Sequence, residues 1–206
     1  MKNTIVLMTL LLCWNSSYAQ DEDRKIQFPD IEGYKTLKCD LHIHTVFSDG
    51  YVWPSIRVEE AVRDGLDAIS LTEHIEYQPW KANISHPDRN RSYEIAKKAA
   101  KPHGLVVIHG AEITRNMPPG HANALFITDA NELMVKDSVE AYRRARKQGA
   151  FIFWNHPNWI RQQKSGLPAL SPLHQKLIRE DLLHGSDAHF ILQNYWSKAM
   201  AAKMFP

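Results

Sequence analysis

Short apolar runs alternate with amphipathic segments along this chain, and the alternation predicts strands followed by helices. Residues 37–43 read as a strand. Residues 55–64 read as a helix, with Pro54 before it, Ser55 as its cap and Ile56, Val58, Ala61 and Val62 as its buried stripe. Residues 66–71 form a second predicted strand, 93–101 a helix closed by Pro102, and 105–108 a third strand. Two further strands, 122–127 and 150–154, flank a basic amphipathic helix at 138–148 that Gly149 stops. A last helix is expected at 172–183, and no β-branched or aromatic run precedes Ser186. Strand, helix and strand at this spacing predict parallel β-α units.

Side chains of one chemical kind collect where the apolar runs end. The blocks are Asp40-Leu41-His42-Ile43-His44-Thr45 with Ser48-Asp49-Gly50, then Thr72-Glu73-His74, Gly110-Ala111-Glu112, Gly120-His121, Asn155-His156-Pro157 and Ser186-Asp187-Ala188-His189. Imidazoles and carboxylates are the ligands of zinc, manganese and iron at open catalytic sites. Strand ends deliver one or two side chains each to a common rim, so residues far apart in sequence can share one ion. His109 reads as a satisfied core histidine, and His86, His103, His174 and His184 as surface or loop residues.

Composition adds class limits. The 206 residues are 44% hydrophobic, enough for one compact domain, and a net charge of +2 with dispersed Lys and Arg gives no nucleic-acid footprint. Lys2, the apolar stretch 5–14 and Ser17-Tyr18-Ala19 read as an export signal cleaved after Ala19, ahead of a lipid attachment at Cys13 or a buried N-terminal helix. The stretch is too short for a stable membrane anchor, so the mature chain is expected to be periplasmic or extracellular, with a linker at 20–35. Only Cys39 would then remain, which excludes an internal disulfide, and it is expected to be a small buried residue.

The quoted blocks resemble the PHP (polymerase and histidinol phosphatase) superfamily of metal-dependent phosphoesterases over about residues 36–190, with 191–206 as a tail. The resemblance implies a distorted (β/α)7 barrel holding two or three divalent ions of zinc, manganese or iron. Carried over, it implies a first metal on His42, His44 and Asp187, with Glu112 bridging to a second completed by His121 and His156. Asp49, His74 and His189 would hold a third. Two departures stand out: Glu73 replaces the family's more usual Asp, and the family's extra strand and helix between the Asn-His-Pro and Ser-Asp-x-His blocks are missing. The barrel is therefore expected to be incomplete at its C-terminal end.

The implied chemistry is attack on phosphorus by a metal-bound hydroxide held by Glu112, His42, His44 and Asp187. The expected partner is a small-molecule phosphate ester, a phosphodiester first. The alternatives are a non-catalytic, metal-binding remnant and a metal-dependent amidohydrolase. Arg115, beside Glu112 in a Pro-rich loop, is the candidate substrate-binding residue, with Lys81 and Arg91 as weaker ones. Trp53, Trp80, Trp154 and Trp159 fall near the ligand blocks and suggest an aromatic mouth around an apolar leaving group.

Overall fold

The computed structural model describes residues 28–84, 86–163 and 168–187. The export signal, His189 and the tail lie outside them. The elements in chain order are β1 (Cys39–Ile43), α1 (Pro54–Arg63), β2 (Ala68–Leu71), α2 (Arg91–Ala100), β3 (Val106–Ile113), β4 (Ala122–Leu125), α3 (Ser138–Lys147), β5 (Phe151–Trp154), α4 (Pro172–Arg179) and β6 (Gly185–Ser186). One six-stranded sheet runs β1-β2-β3-β4-β5-β6 and curls into a half-barrel, as expected for an incomplete PHP-type barrel. Among the described residues no helix is long and apolar enough to cross a membrane.

Local chemistry explains the helices, with one change of cap. Trp53, not Ser55, is the N-cap of α1, because Pro54 needs no amide partner and takes the first helical position. Asp137 caps α3 by accepting from Glu140 N, and Ser171 caps α4 by accepting from His174 N. The His174 ring answers in kind, since its Nδ1 accepts from Ser171 N at 3.2 Å.

The expectation of parallel units fails at β4, which is antiparallel to both β3 and β5, while β1, β2 and β3 are mutually parallel and β5 pairs parallel with β6. Only residues 114–121 separate β3 from β4, too few for the crossover a parallel pair requires. Ser186, with Gly185, also lies in a strand after all. Its two residues pair by backbone alone with Phe153 and Trp154, which demands no β-branched side chain.

Two apolar clusters hold the helices to the sheet. Val58 and Ala61 of α1 and Ala96 and Ala100 of α2 cover Ile43, Ile69 and Leu71. Ala141, Tyr142 and Ala145 of α3 and Leu177 of α4 cover Ala122, Ala124, Ile152 and Trp154. Alternate strand residues face away from the helices. There the unclosed barrel leaves an apolar groove of about 700 Å³, lined among others by Leu37, Cys39, Leu41, Val106, Ile108 and Phe126. Cys39 is therefore exposed rather than buried.

Two histidines, His174 and His109, correct the sequence reading, while His184 lies in a loop as expected. His174 is fully buried, stacked near Trp154 at 4.3 Å, with its Nε2 2.7 Å from Pro119 O. His184 Nδ1 accepts from Ile152 N at 2.9 Å, tying β6 to β5. His109 is buried and stacked on Tyr93 at 4.0 Å, but its Nε2 has no partner. Burial lowers its pKa from 6.5 to about 4, with Asp129 opposing. The folded state thus takes up a proton less readily than the unfolded chain, so stability is full above about 6.5 and declines as pH falls toward about 4. The urea midpoint should fall over that window, and His109→Phe, which keeps the stack, should flatten the slope. An unchanged slope in the variant would overturn the assignment.

Candidate metal centre

The register of β1 shifts between Asp40 and Ile43. Asp40 and Ile43 both line a cleft with Arg57 and Ala61 of α1, which a regular strand would forbid for residues three apart. The bulge turns Ile43 toward the helices and leaves His42 and His44 at the rim, on the side of Glu112. Past β2, His74 forms an isolated bridge with Glu112, with Ile75 N donating to Glu112 O at 2.9 Å. His121 precedes the antiparallel β4, so it meets the same rim as the ends of β1–β3. Asn155 N donates to His121 O, and Asp187 N to Trp154 O, both at 2.9 Å, which brings His156 and Asp187 alongside.

Glu112 is the centre. Its side chain is fully buried, with Oε2 2.8 Å from His42 Nε2 and 3.3 Å from His44 Nε2. Oε1 lies 2.6 Å from His121 Nδ1 and 3.1 Å from His74 Nδ1. Burial raises this carboxyl, but the four imidazoles ranged against its two oxygens overcome that and hold the group well below the usual range.

The far nitrogen of each ring decides which lone pair is free. His42 Nδ1 faces Asp187 Oδ2 at 3.2 Å, His44 Nδ1 faces Ser48 Oγ at 3.3 Å, and His74 Nδ1 faces Thr114 Oγ1 at 2.6 Å. Thr114 Oγ1 itself donates to Glu112 O, so it accepts from His74. Each of these histidines is thereby assigned Nδ1–H and a free Nε2. For His42 and His44 the two free nitrogens stand 3.1 Å apart beside Glu112 Oε2. For His74 it faces Asp49 Oδ2 at 3.5 Å.

This donor set fits divalent cations. Atoms sharing an ion at ~2.0–2.2 Å lie about 3 Å from each other, and two facing imidazole lone pairs repel unless a cation sits between them. Glu112 Oε1, His121 Nδ1 and His156 Nδ1 are buried and out of hydrogen-bond alignment, which leaves their lone pairs unused. Among the described residues three groups of His, Asp and Glu have ligand atoms within 4.8 Å: His42-His44-Glu112, His74-Glu112-His121 and His44-Asp49-His74. The tautomers favour His74 with Asp49 over His74 with Glu112. His156, 5.0 Å ring to ring from His121, stands beside the second group.

Two expected roles change. Asp187 accepts from His156 N and faces His42 on the side away from Glu112, so it orients that ring rather than joining the first group. Arg115 commits its guanidinium to Glu76 and the Val135 carbonyl and is mostly buried, so it braces the loop instead of facing a phosphate. Arg91 pairs with Glu94 on α2 at 3.0 Å, and Lys81 is solvent-exposed. Of the tryptophans, Trp154 is core, Trp53 packs on Phe47 and Trp80 donates to Gly50 O. Among the described tryptophans only Trp159 touches ligand histidines, at 5.6 Å from His121 and 5.1 Å from His156.

The supports behind the rings are dense. Glu73 is buried and accepts from Thr45 Oγ1 (2.5 Å), Thr45 N (3.1 Å) and Ser48 Oγ (2.5 Å), fixing the turn that carries His44 and Asp49. Gly50 closes this turn, where a Cβ would come within 2.6 Å of His44 O. Asn155 donates to Asn123, and Asn123 to Leu41 O, crossing the half-barrel beneath the site. The sequence reading missed Thr114 and Asn123. Thr114 lies two residues beyond Glu112, where strand alternation sets both on one side.

A PHP domain profile matches residues 40–202 of this chain. The chain belongs to the PHP domain family. A solved two-domain protein of Bacteroides vulgatus, described as containing a predicted PHP-like metal-dependent phosphoesterase, is 54% identical with a TM-score of 0.76, covering 79% of this chain and 47% of its own. A putative metal-dependent phosphoesterase of Bifidobacterium adolescentis shares the fold at 16% identity and a TM-score of 0.55, over 74% of this chain and 77% of that one. An uncharacterised protein of Methanocaldococcus jannaschii is 34% identical over 85 residues, or 40% of this chain and 36% of that protein. This PHP chain thus spans about half the length of the Bacteroides protein it matches.

Proposed function

We propose that this PHP chain hydrolyses phosphate esters, phosphodiesters foremost, with two or three ions of zinc, manganese or iron, after export through a leader ending at Ala19. The observation that carries the reading is Glu112, one buried carboxylate whose two oxygens each meet a pair of histidines. Divalent ions there would polarise the ester and lower the pKa of water toward neutrality. His42, His44 and Glu112 would hold one ion, Glu112, His121 and His156 a second, and Asp49 with His74 would begin a third, His189 lying outside the described residues. Asp187, Ser48 and Thr114 stand against Nδ1 of His42, His44 and His74, so Nε2 of each ring is the atom that would face an ion. Among the described residues no cysteine joins the groups, and Ser48, which touches His44, is committed to Glu73, which favours direct attack by water.

The test is metal content together with turnover of bis(p-nitrophenyl) phosphate and p-nitrophenyl phosphate, beside a His42→Ala, His44→Ala double variant. At least two ions per chain and diesterase activity lost in the variant support the reading. A folded chain without turnover supports a second reading, a metal-binding remnant, which the open apolar groove of the half-barrel favours. Recovery outside the cytoplasm with Gln20 as first residue supports export, and a cytoplasmic product retaining Met1 overturns it.

A further inference from the structure

Resting on that reading, we propose that Tyr77 and Trp159 are aromatic jaws on either side of the histidine cluster and that Arg161 is the anion clasp between them and solvent, so that the site takes phosphate esters bearing a flat aromatic group. Tyr77 meets His74 edge-on at 5.7 Å and is half exposed. Trp159 meets His121 and His156 edge-on, at 5.6 and 5.1 Å. His74 and His121, 5.4 Å apart ring to ring, form the floor between the two. A planar group entering here has an aromatic wall at each end, and its phosphate falls on the histidines.

The Trp159 wall is built. Trp159 N donates to His156 O at 2.9 Å, Gln162 N and Gln163 N donate to Trp159 O, and the Gln162 side chain donates to Arg115 O at 3.2 Å. Arg161 is exposed, and its guanidinium lies over the Trp159 ring at 6.0 Å from the centroid. Stacking on a ring face leaves the N–H edge of the fork available for an oxyanion. Two other arginines beside the site are committed: Arg57 to His44 O and Glu60, Arg115 to Glu76 and Val135 O. Among the described residues Arg161 makes no ion pair, which leaves its fork beside Trp159 free for substrate.

The experiment titrates the full metal-loaded chain with phenylphosphonate and methylphosphonate, which cannot be hydrolysed at the P–C bond by this chemistry, following binding by calorimetry. The wild type should prefer phenyl over methyl by roughly 5- to 10-fold. Arg161→Ala should weaken both by roughly 10- to 100-fold, with Arg161→Lys recovering only part. Tyr77→Leu and Trp159→Leu should remove the phenyl preference while sparing methylphosphonate. Equal affinities for the two ligands in the wild type, or an Arg161→Ala chain that binds both as the wild type does, overturns the proposal. Failure to hydrolyse bis(p-nitrophenyl) phosphate sinks the enzymatic reading instead, and the phosphonate affinities report on the jaws either way.

Discussion

Replacing Glu112 with Gln should strip the chain of at least one ion and reduce phosphodiester turnover by at least ~10³-fold, while the protein stays folded. Removing a partner that merely orients a metal ligand typically costs 10- to 100-fold, and Glu112 stands in direct reach of four imidazoles through two oxygens. The amide keeps the volume, but it has one carbonyl and no charge. On the His42–His44 side its NH2 group would donate to the Nε2 lone pairs that an ion needs, and so occupy them. Fully buried, the amide has no water to turn to. Metal content by elemental analysis and turnover on the same sample check this. Retention of full metal content with near-normal turnover would show that Glu112 is not the shared carboxylate.

The second large effect is expected at Glu73, where Ala should destabilise the fold by about 2–4 kcal/mol and weaken metal binding by roughly 10- to 100-fold. Two hydroxyls and one backbone amide donate to this carboxylate, and all of them lie in the turn between His44 and Asp49. The hydroxyls of Thr45 and Ser48 can rotate to other acceptors, but the amide of Thr45 cannot. With Ser48 released, His44 Nδ1 loses the oxygen that fixes its tautomer. Glu73→Gln should fall between, because its carbonyl still serves Thr45 N while its NH2 forces a hydroxyl to reverse. Urea unfolding and competitive metal titration separate the two effects. A variant with normal stability and weakened metal would mean that Glu73 acts on His44 alone.

Much of the site was legible before any fold was known. His42, His44, Glu112, His121 and His156 sit at the borders of apolar runs, and strand ends gather on one rim. The position of His121 held a further clue. It precedes its strand, whereas the other ligands follow theirs, and an antiparallel β4 is the arrangement that reconciles the two. Cys39 was misjudged because its apolar neighbours promise burial only in a closed barrel. His174 was misjudged because a histidine on a short polar-looking helix gives no sign that its ring will cap that helix and reach Pro119.

The sequence by itself determined the kind of protein: an α/β domain of the PHP family with imidazoles and carboxylates at its strand ends. Those features are local, since apolar periodicity and ligand type are written residue by residue. The tertiary structure decided which lone pairs are available and which cations are free. Asp187 reaches His42 across 145 positions and Thr114 reaches His74 across 40, and only that contact assigns a proton to one ring nitrogen over the other. In the same way Glu76, 39 positions from Arg115, ties down that guanidinium, while Arg161 lies over Trp159 without an ion pair among the described residues. Protonation and charge pairing depend on distances of a few ångströms between segments remote in the chain, and folding alone sets those distances.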